Sequence, residues 1–253
     1  MSVMKILFCG ESWVKHIIHT KGFDSFTNTE YEEGIHWFKE AMEAGGVEMD
    51  YVPGHLVPDH FPTTLEALQQ YDAVFLSDIG SNSLLLSSKT FAKSEVAVNR
   101  LDLIKDYVSA GGGFVMVGGY LTFQGIDAKG KYKDTPVEDI LPITMLPHDD
   151  RHEAPEGIHI EVDQPNHPVL KDVDPKWPHF LGYNKLLADE DADVVAHHGD
   201  YAFIATKSFG EGRTLTFASD LAPHWGPPEF VNWSCYNTFW NNVVKWVAGE
   251  QNA

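Results

Sequence analysis

The first half of the sequence alternates between two kinds of segment, and this alternation limits the folds that are open to the chain. Short, continuous apolar runs are typical of strands that are covered on both faces of a parallel sheet. Between these runs lie stretches with helical spacing of apolar residues. A repeated order of strand and helix predicts a doubly wound α/β architecture. The four strand candidates are Lys5–Cys9, Val47–Val52, Ala73–Ser77 and Phe114–Val117.

Two helices are predicted between these strands. The stretch Tyr31–Ala44 places apolar residues at near-helical spacing and ends at the pair Gly45-Gly46, which is a typical helix stop signal. The stretch Val96–Ala110 carries a similar apolar stripe, and three glycines that begin at Gly111 end it before the next strand. Both helices are long enough to cover a face of the sheet.

The second half of the chain is built from shorter pieces. The connector Phe209–Gly212 contains two glycines and predicts a hairpin turn, and the run Val231–Val247 predicts a final helix packed on the sheet. The sequence contains no linker, repeat or low-complexity tract, so we expect residues 1–253 to form a single domain. The strand candidates in this half are Ile158–Val162, Val194–Ala196, Ala202–Thr206 and Thr214–Ala218.

Composition excludes several functional classes. The chain has 253 residues, of which 18 are basic and 37 acidic, and a formal net charge of −19. Such a surface repels phosphate backbones and anionic lipids, so we expect no nucleic-acid or membrane partner. The apolar runs fall far short of the roughly 20 residues that a membrane span needs. Two cysteines make no disulfide framework, and together with the absence of a signal peptide they predict a cytoplasmic protein.

Polar residues that follow the predicted strands mark the candidate site. Open parallel sheets bind ligands beyond the carboxyl ends of their strands, where side chains from different strands converge. We therefore expect a small polar ligand there and assign the following residues to its site. The predicted catalytic residues are Tyr120, Asp220 and His224, and the predicted ligand-binding residues are Ser12, Asp78, Asn82, Gly118 and Gly119.

Each of these residues also has a structural alternative. The glycines before Tyr120 are consistent with a nucleophile elbow, or with close packing at a strand end. A phenol whose ordinary pKa is near ~10 is a poor nucleophile at neutral pH. His224 is either a general base or a packed loop residue, and Asp220 either orients it or caps a turn. Asp78 either accepts ligand hydroxyls, holds a metal or caps its own turn.

No metal or cofactor is predicted from the histidines or the glycines. His197 and His198 are adjacent, so on a strand they face opposite ways, and His16 and His19 could share a helical face but lack a carboxylate at a fixed spacing. No nucleotide-binding glycine motif occurs. The group Asp149-Asp150-Arg151 favours an internal ion-pair loop, whereas Glu11, Lys21 and Asp24 in the first loop leave binding and pairing equally open.

Several long motifs together resemble one protein family. They are GESWVKHIIHTKGFDSF, FLSDIGSNSLLL, AGGGFVMVGGYLTFQGIDAKGKYKDTPVEDILP, DDRHEAPEG, WPHFLGYN and GEGRTLTFASDLAPHWGPPEFVNW. The chain is identified by them as a member of the glutamine amidotransferase-like proteins of unknown function, which are distant relatives of the trehalose-utilisation ThuA proteins. The resemblance covers nearly the whole chain. It implies a flavodoxin-like three-layer sandwich with a mostly parallel sheet, of the class I glutamine amidotransferase type.

The sequence departs from the active members of that fold at one position. True class I amidotransferases use an elbow cysteine that is oriented by a histidine and a glutamate. Here the elbow position carries Tyr120, while Cys9 and Cys235 lie in the predicted first strand and last helix. A thiolate attacks an amide carbon readily and a neutral phenol does not, so we expect no glutaminase activity.

Three functions remain open at this stage. The first is a protein that binds a small polar ligand at the strand ends and has lost the chemistry. The second is a hydrolase or carbohydrate-modifying enzyme that uses His224 as its base and either Tyr120 or Asp78 as acid or binder. The third is a homo-oligomerisation module, for which an exposed aromatic patch would be the signature.

Overall fold

The structure is a computed structural model that describes residues 3–249, and its elements are numbered here in chain order. The strands are β1 (Lys5–Gly10), β2 (Ser12–Lys21), β3 (Asp24–Glu33), β4 (Glu48–Val52), β5 (Ala73–Ser77), β6 (Gly113–Val117), β7 (Ile143–Met145), β8 (Arg151–Ile158), β9 (Glu161–Val162), β10 (Phe180–Asn184), β11 (Leu186–Ala188), β12 (Asp193–His198), β13 (Tyr201–Phe209) and β14 (Gly212–Phe217). The α-helices are α1 (His36–Gly45), α2 (Val57–His60), α3 (Leu65–Leu68), α4 (Asn82–Leu85), α5 (Ser88–Lys93), α6 (Arg100–Ser109), α7 (Pro136–Ile140), α8 (Pro228–Val231) and α9 (Tyr236–Val247).

The central sheet has eight strands in the order β4-β1-β5-β6-β14-β13-β12-β9. The strands from β4 to β14 run parallel, and β13, β12 and β9 extend the sheet in antiparallel fashion. The residues of β5 and β6 are buried throughout, as expected for strands covered on both faces. The predicted α/β fold with a mostly parallel sheet is therefore confirmed.

Two groups of helices cover the sheet. Helices α1 and α9 pack against each other, and α9 also contacts β6 and β14. Helix α6 packs with α3, α4 and α7 and contacts β14 as well. Large aromatic side chains fill the interior next to α1 and α9: the ring of Phe38 lies 5.0 Å from Phe8 and 5.4 Å from Trp240, measured between ring centroids. The apolar faces of these helices thus supply the core, which fixes the sheet and its strand ends.

The predicted helices begin later than the apolar pattern indicates. Helix α6 begins at Arg100 because the side chain of Asn99 accepts a hydrogen bond from the backbone N–H of Leu101 and so caps the helix. The predicted start at Val96 is therefore wrong, although the end at Ser109 agrees. The predicted final helix, Val231–Val247, also begins later in the structure. Helix α8 ends at Val231, and α9 runs from Tyr236 to Val247.

The segment after β1 is the largest departure from the sequence prediction. We expect a loop through residues 11–24 and a helix from Tyr31, but β2 and β3 form an antiparallel hairpin in their place, paired from Ser12↔Glu33 to Lys21↔Asp24. Helix α1 begins only at His36. His16 and His19 consequently lie on a strand, where residues three apart face opposite ways, and they share no helical face.

The second half also has more strands than predicted. The hairpin prediction at Phe209–Gly212 is confirmed, since β13 and β14 pair antiparallel up to Phe209↔Gly212. The single strand predicted at Ile158–Val162 is wrong, because β8 ends at Ile158 and β9 is a separate short strand. The short strands β7 and β11 pair with each other, and β10 pairs with β8, so each pair forms a small two-stranded sheet. The sequence pattern does not predict β7, β10 or β11. Within residues 3–249, no helix combines the length and the apolar character that a bilayer crossing requires.

Candidate functional site

A pocket of about 400 Å³ opens where the parallel strands end. Its walls come from the segments that follow β1, β5, β6 and β14, so four separate parts of the chain meet there, as the sheet topology requires. Acidic and aromatic side chains dominate its lining. The lining residues are Glu11, Trp13, Asp78, Tyr120, Asp220, Pro223 and His224.

Glu11 enters the pocket from the end of β1 through a tight backbone crossing. A Cβ atom on Gly10, which has a φ of 109°, would collide with the backbone carbonyl of Ser77, so only glycine fits there. Glu11 itself has a φ of 51°, which is unusual for a residue with a side chain. Its carboxylate is 3% exposed and accepts a hydrogen bond from the Ser77 hydroxyl. Burial, with the nearby carboxylates of Asp220 and Asp78, raises the pKa of Glu11 well above its ordinary value.

Asp78 occupies the equivalent place after β5. It also has a left-handed backbone, with a φ of 44°, and its Oδ1 accepts a hydrogen bond of 2.8 Å from the backbone N–H of Leu121. Burial and the neighbouring Asp220 raise the pKa of Asp78 to about 6. The carboxyl group therefore changes charge close to neutral pH, which is a property of catalytic and binding carboxyls.

Asp220 and His224 form a hydrogen-bonded pair in the loop after β14. Asp220 is 4% exposed, and its Oδ2 lies 3.1 Å from Nδ1 of His224 and 3.3 Å from the backbone N of Trp225. The hydrogen bond to Asp220 raises the pKa of His224, although burial opposes this shift. Burial raises the pKa of Asp220 in spite of its histidine partner. Such an arrangement orients an imidazole for proton transfer.

Gly119 separates two of the carboxylates. A Cβ atom at this position would lie 2.9 Å from Oδ1 of Asp78 and 3.0 Å from Oδ1 of Asp220, so both oxygens reach the same small volume. Gly119 also has a φ of 149°, a conformation that side chains rarely permit. Any larger residue here would fill the space between Asp78 and Asp220.

A buried hydrogen-bond network fixes the Gly118-Gly119 turn from behind. The N–H of Gly119 donates to Oδ1 of Asn184, and the amide of Asn184 donates to Oδ1 of Asp150 over 2.8 Å. The fully buried Asp150 carboxylate also accepts the backbone N–H groups of Gln124 and Gly125. These bonds hold the segment after β6 in register with the pocket.

Tyr120 also lines the pocket, and a hydrogen bond from its hydroxyl holds it in place. That hydroxyl donates to Glu153 over 2.7 Å, and Glu153 also accepts the indole N–H of Trp225. The ring of Tyr120 lies edge-on to His224 with 4.5 Å between centroids, and the guanidinium of Arg151 stacks on it at 4.5 Å. Burial and the Glu153 hydrogen bond raise the pKa of Tyr120, so its hydroxyl is a donor at neutral pH.

Comparison with known proteins now identifies the family. Residues 5–249 match the family model GATase1_like, described as "Putative glutamine amidotransferase". The chain belongs to this amidotransferase-like family. Two solved relatives from Salmonella typhimurium, named Cytoplasmic Protein STM3548 and Cytoplasmic Protein STM1381, are each 45% identical; each comparison covers 96% of this chain and 99% of theirs, with TM-scores of 0.94 and 0.93.

More distant structures share the fold alone. A "Putative thua-like protein" from Bacteroides uniformis is 14% identical, with a TM-score of 0.57 over 96% of this chain and 91% of that one. The predicted membership of the amidotransferase-like family, with ThuA-like neighbours, is thus confirmed. No significant match was found among curated proteins.

The structure brings five of the eight predicted site residues to the pocket. His224, Tyr120, Asp220 and Asp78 line it, and Gly119 lies between two of its carboxylates. The remaining three predicted residues lie elsewhere. Gly118 is buried behind the turn, Ser12 uses its hydroxyl to accept the backbone N–H of Gly54, and Asn82 begins the short helix α4 with an exposed side chain.

The turn before Tyr120 has the close packing that the sequence offers as the alternative to a nucleophile elbow, since a Cβ atom on Gly118 would collide with the carbonyl oxygen of Ala218. No helix follows β6 directly, since the chain continues through turns to a short 3-10 helix at Ile126–Ala128. The left-handed residues with side chains at the sheet edge are Glu11 and Asp78. A nucleophile elbow places its strained residue on a strand-to-helix turn, whereas Glu11 and Asp78 in this chain follow β1 and β5.

The pocket also contains residues that have no assigned role in the sequence-based prediction. Glu11 immediately follows a glycine at the end of the first strand, and that position is the signal that could have identified it. Trp13 offered no signal, because the hairpin that carries it was not predicted. Glu153 comes close to Tyr120 only because β8 pairs with β10, which the sequence pattern conceals.

The structure was also compared with the predictions for metal sites, thiols and the ion pair near Asp149. Among the residues that the structure describes, no three His, Cys, Asp or Glu side chains are arranged to hold a metal ion. Both cysteines are free: Cys9 is fully buried in β1, and the Sγ of Cys235 accepts the backbone N–H of Asp174. Neither of them lines the pocket. The ion pair predicted near Asp149 is present between Arg151 and Asp149, whereas Asp150 belongs to the buried network.

Proposed function

We propose that the pocket binds a small, uncharged molecule rich in hydroxyl groups, and that the protein does not hydrolyse glutamine through a cysteine. The observation that carries this proposal is the set of three largely buried carboxyl groups, Glu11, Asp78 and Asp220, whose pKa values are all raised. Carboxyl groups in this state accept hydrogen bonds when ionised and donate one when protonated. Hydroxyl groups complement both states.

The remaining walls support the same class of ligand. Trp13 and Tyr120 offer apolar ring surface for a carbon skeleton, and the three carboxyl groups line the same pocket. A volume of about 400 Å³ suits a compact small molecule. Anionic ligands are disfavoured because their charge would face three acidic groups and one histidine.

The positions of the two thiols support the absence of glutaminase activity. A glutaminase cysteine must present its thiolate to the substrate carbonyl. Burial raises the pKa of Cys9 far above its ordinary value, which keeps it a neutral thiol inside β1. Tyr120, at the elbow position of the sequence, donates its hydroxyl to Glu153. The family's name therefore describes its fold better than its chemistry in this chain.

A thermal-shift screen tests the proposal without assuming a reaction. Sugars, polyols, sugar acids, amides and divalent metals are each added to the purified protein, and a ligand of the native state raises the melting temperature by mass action. We expect neutral polyols or sugars to raise it and sugar acids to have no effect. The rise should disappear in His224→Ala and persist in His148→Ala, which removes an exposed histidine outside the pocket. Stabilisation by anionic compounds only would contradict the proposal.

A second function, acid–base catalysis on the same ligand, is favoured by one specific contact. The 3.1 Å hydrogen bond that Nδ1 of His224 donates to Asp220 orients the imidazole, and Asp78, whose pKa is about 6, is a second proton-transfer group beside it. Incubation of a screening hit with the protein, followed by mass analysis of the products, separates binding from turnover. An altered compound with the unmodified chain and none with His224→Ala would indicate an enzyme.

The names of two relatives support a cytoplasmic location for this protein. The two Salmonella proteins that are 45% identical over nearly their full length carry the name cytoplasmic protein. We place this chain in the cytoplasm on that basis, and we retain the expectation from its net charge that nucleic acid and membranes are not its partners.

A further inference from the structure

The hairpin of β2 and β3, called the arm below, projects from the sheet without a partner of its own. Each strand has ten residues, which gives the arm a length of about 30 Å. In the part of the chain that the structure describes, the two strands pair only with each other. A lone two-stranded hairpin is marginally stable in water, so an arm of this length calls for a packing surface.

The arm exposes apolar side chains on both faces. Val14, Ile18 and Tyr31 share one face and are 44%, 71% and 46% exposed, because strand residues alternate between faces. Phe26 lies on the other face with 53% exposure, and Phe23 at the turn is fully exposed. Scattered apolar residues are ordinary on a surface, but a cluster of five on one hairpin marks an interaction surface.

A second exposed apolar surface lies at residues 86–98, called the docking segment below. It includes helix α5 and the chain that follows it, and it borders a groove of about 780 Å³. Four large apolar side chains are exposed there. They are Leu86 at 39%, Phe91 at 78%, Val96 at 100% and Val98 at 41%.

The charges of the two surfaces are complementary. The arm carries Asp24, Glu30, Glu32 and Glu33 against Lys15 and Lys21, so it is acidic, and Lys15 already pairs with Glu30 and Glu32. The docking segment carries Lys89 and Lys93 against Glu95 and is basic, in a chain whose net charge is −19. Within residues 3–249, neither Lys89 nor Lys93 forms an ion pair, and both line the groove.

We propose that this protein forms a symmetric homodimer in which the arm of each copy packs on the docking segment of the other. Each copy supplies both surfaces, so a two-fold axis satisfies both contacts at once and closes the assembly. The apolar side chains of the arm cover Phe91 and Val96 of the partner copy. Glu33, which lies on the same face of the arm as Val14 and Ile18, faces the two lysines and so orients the arm.

Sedimentation velocity of the full-length chain, between about 5 and 50 μM, tests this proposal. We expect twice the monomer mass for the unmodified protein. Ile18→Lys places a charge in the apolar face and should raise the dimer dissociation constant at least tenfold, the size of a hot-spot loss. Leu187→Lys is the matched control, since Leu187 is 40% exposed on β11 and should leave the mass unchanged. Circular dichroism confirms that each variant is folded.

A charge exchange identifies the docking segment as the arm's partner. Lys89→Glu combined with Lys93→Glu should weaken the dimer, and Glu33→Lys, on the same face of the arm as Ile18, should weaken it as well. All three changes in one chain should restore it, because the attraction is rebuilt with opposite signs. The proposal is overturned by a monomer at 50 μM, by a dimer that ignores Ile18→Lys, or by a triple variant that does not recover.

Discussion

The pocket and the arm depart from ordinary protein surfaces in opposite directions. In the pocket, the acidic residues Glu11 and Asp220 are at least nine-tenths buried, beside the partly buried Asp78. On the arm, Ile18 and Phe23 stand in water. Globular proteins normally bury the apolar group and expose the charged one, and each exception costs free energy.

The two regions therefore depend on the rest of the chain to different degrees. The buried carboxyl groups require a rigid frame, and the strand ends and the Asp150–Asn184 network supply it, so substitutions there should disturb folding as well as function. The arm has few contacts with the rest of its own chain, so substitutions there should have only a small effect on the monomer's stability. Matched pairs of substitutions, one in each region, test this contrast.

The largest contrast is expected between two aspartates. Asp150→Ala leaves the N–H groups of Gln124 and Gly125 and the amide of Asn184 without their acceptor, so the free energy of unfolding should fall by about 4 kcal/mol. Asp24→Ala, on the exposed arm, should change it by less than about 0.5 kcal/mol. Urea denaturation measures both. Equal losses would mean that the network does not support the site.

Two glycines with left-handed backbones give the next contrast. Gly119→Ala brings a methyl group to within 3.0 Å of two carboxylate oxygens and strains the backbone, which should cost about 3 kcal/mol. Gly22→Ala in the arm turn has open space around it and should cost only about 1 kcal/mol, for the backbone alone. Thermal melting with calorimetry compares them. A Gly119→Ala variant as stable as Gly22→Ala would show that the carboxylates are not held where the structure has them.

The pH dependence of stability isolates Asp78. Its pKa is about 6 in the folded protein and 3.8 ordinarily, so between pH 4 and 6 the folded state holds a proton that the unfolded state has lost. Stability therefore falls as the pH rises through this window. Asp78→Asn keeps the acceptor for Leu121, removes this fall and should be more stable by about 2 kcal/mol at pH 7.

The control for this prediction is Asp24→Asn, which makes the same charge change on the arm. Urea midpoints measured from pH 4 to pH 8 should show its profile parallel to that of the unmodified chain. If Asp78→Asn and Asp24→Asn give the same profile, Asp78 has no raised pKa.

The smallest effect is expected at two tyrosines. Tyr120→Phe removes the hydroxyl that donates to Glu153 and should cost about 1 kcal/mol while weakening ligand binding. Tyr31→Phe removes a hydroxyl that donates to Glu33 on the exposed arm and should change neither. Titration calorimetry with a screening hit compares the two. Ligand affinity that survives Tyr120→Phe would remove Tyr120 from the site.

The sequence predicted the parallel part of the fold because those strands are buried on both faces. The continuous run at Ala73–Ser77 and the glycines after Ser109 leave few alternatives for a chain of this length. The same topology rule predicted where the pocket lies and four of its lining residues, since strand ends gather at one edge. Local pattern and topology were sufficient there.

The arm and the contact between Glu153 and Tyr120 could not be predicted from local pattern and topology. The arm alternates apolar and polar residues around Gly22-Phe23, which is a hairpin signal, but its apolar residues are exposed, so the pattern indicated no buried face. Glu153 reaches Tyr120 through the pairing of β8 with β10, which are far apart in sequence and broken by a bulge. Contacts of that kind depend on tertiary packing and leave no local trace.

The most direct test of the central claim is an NMR titration of the His224 imidazole in the unmodified chain and in Asp220→Asn, with His224→Ala to assign the signal. The claim is that buried carboxyl groups control a histidine at the strand ends. It predicts a midpoint above the ordinary 6.5 in the unmodified chain and a clear downward shift in Asp220→Asn. A midpoint near 6.5 that is the same in both chains would contradict it.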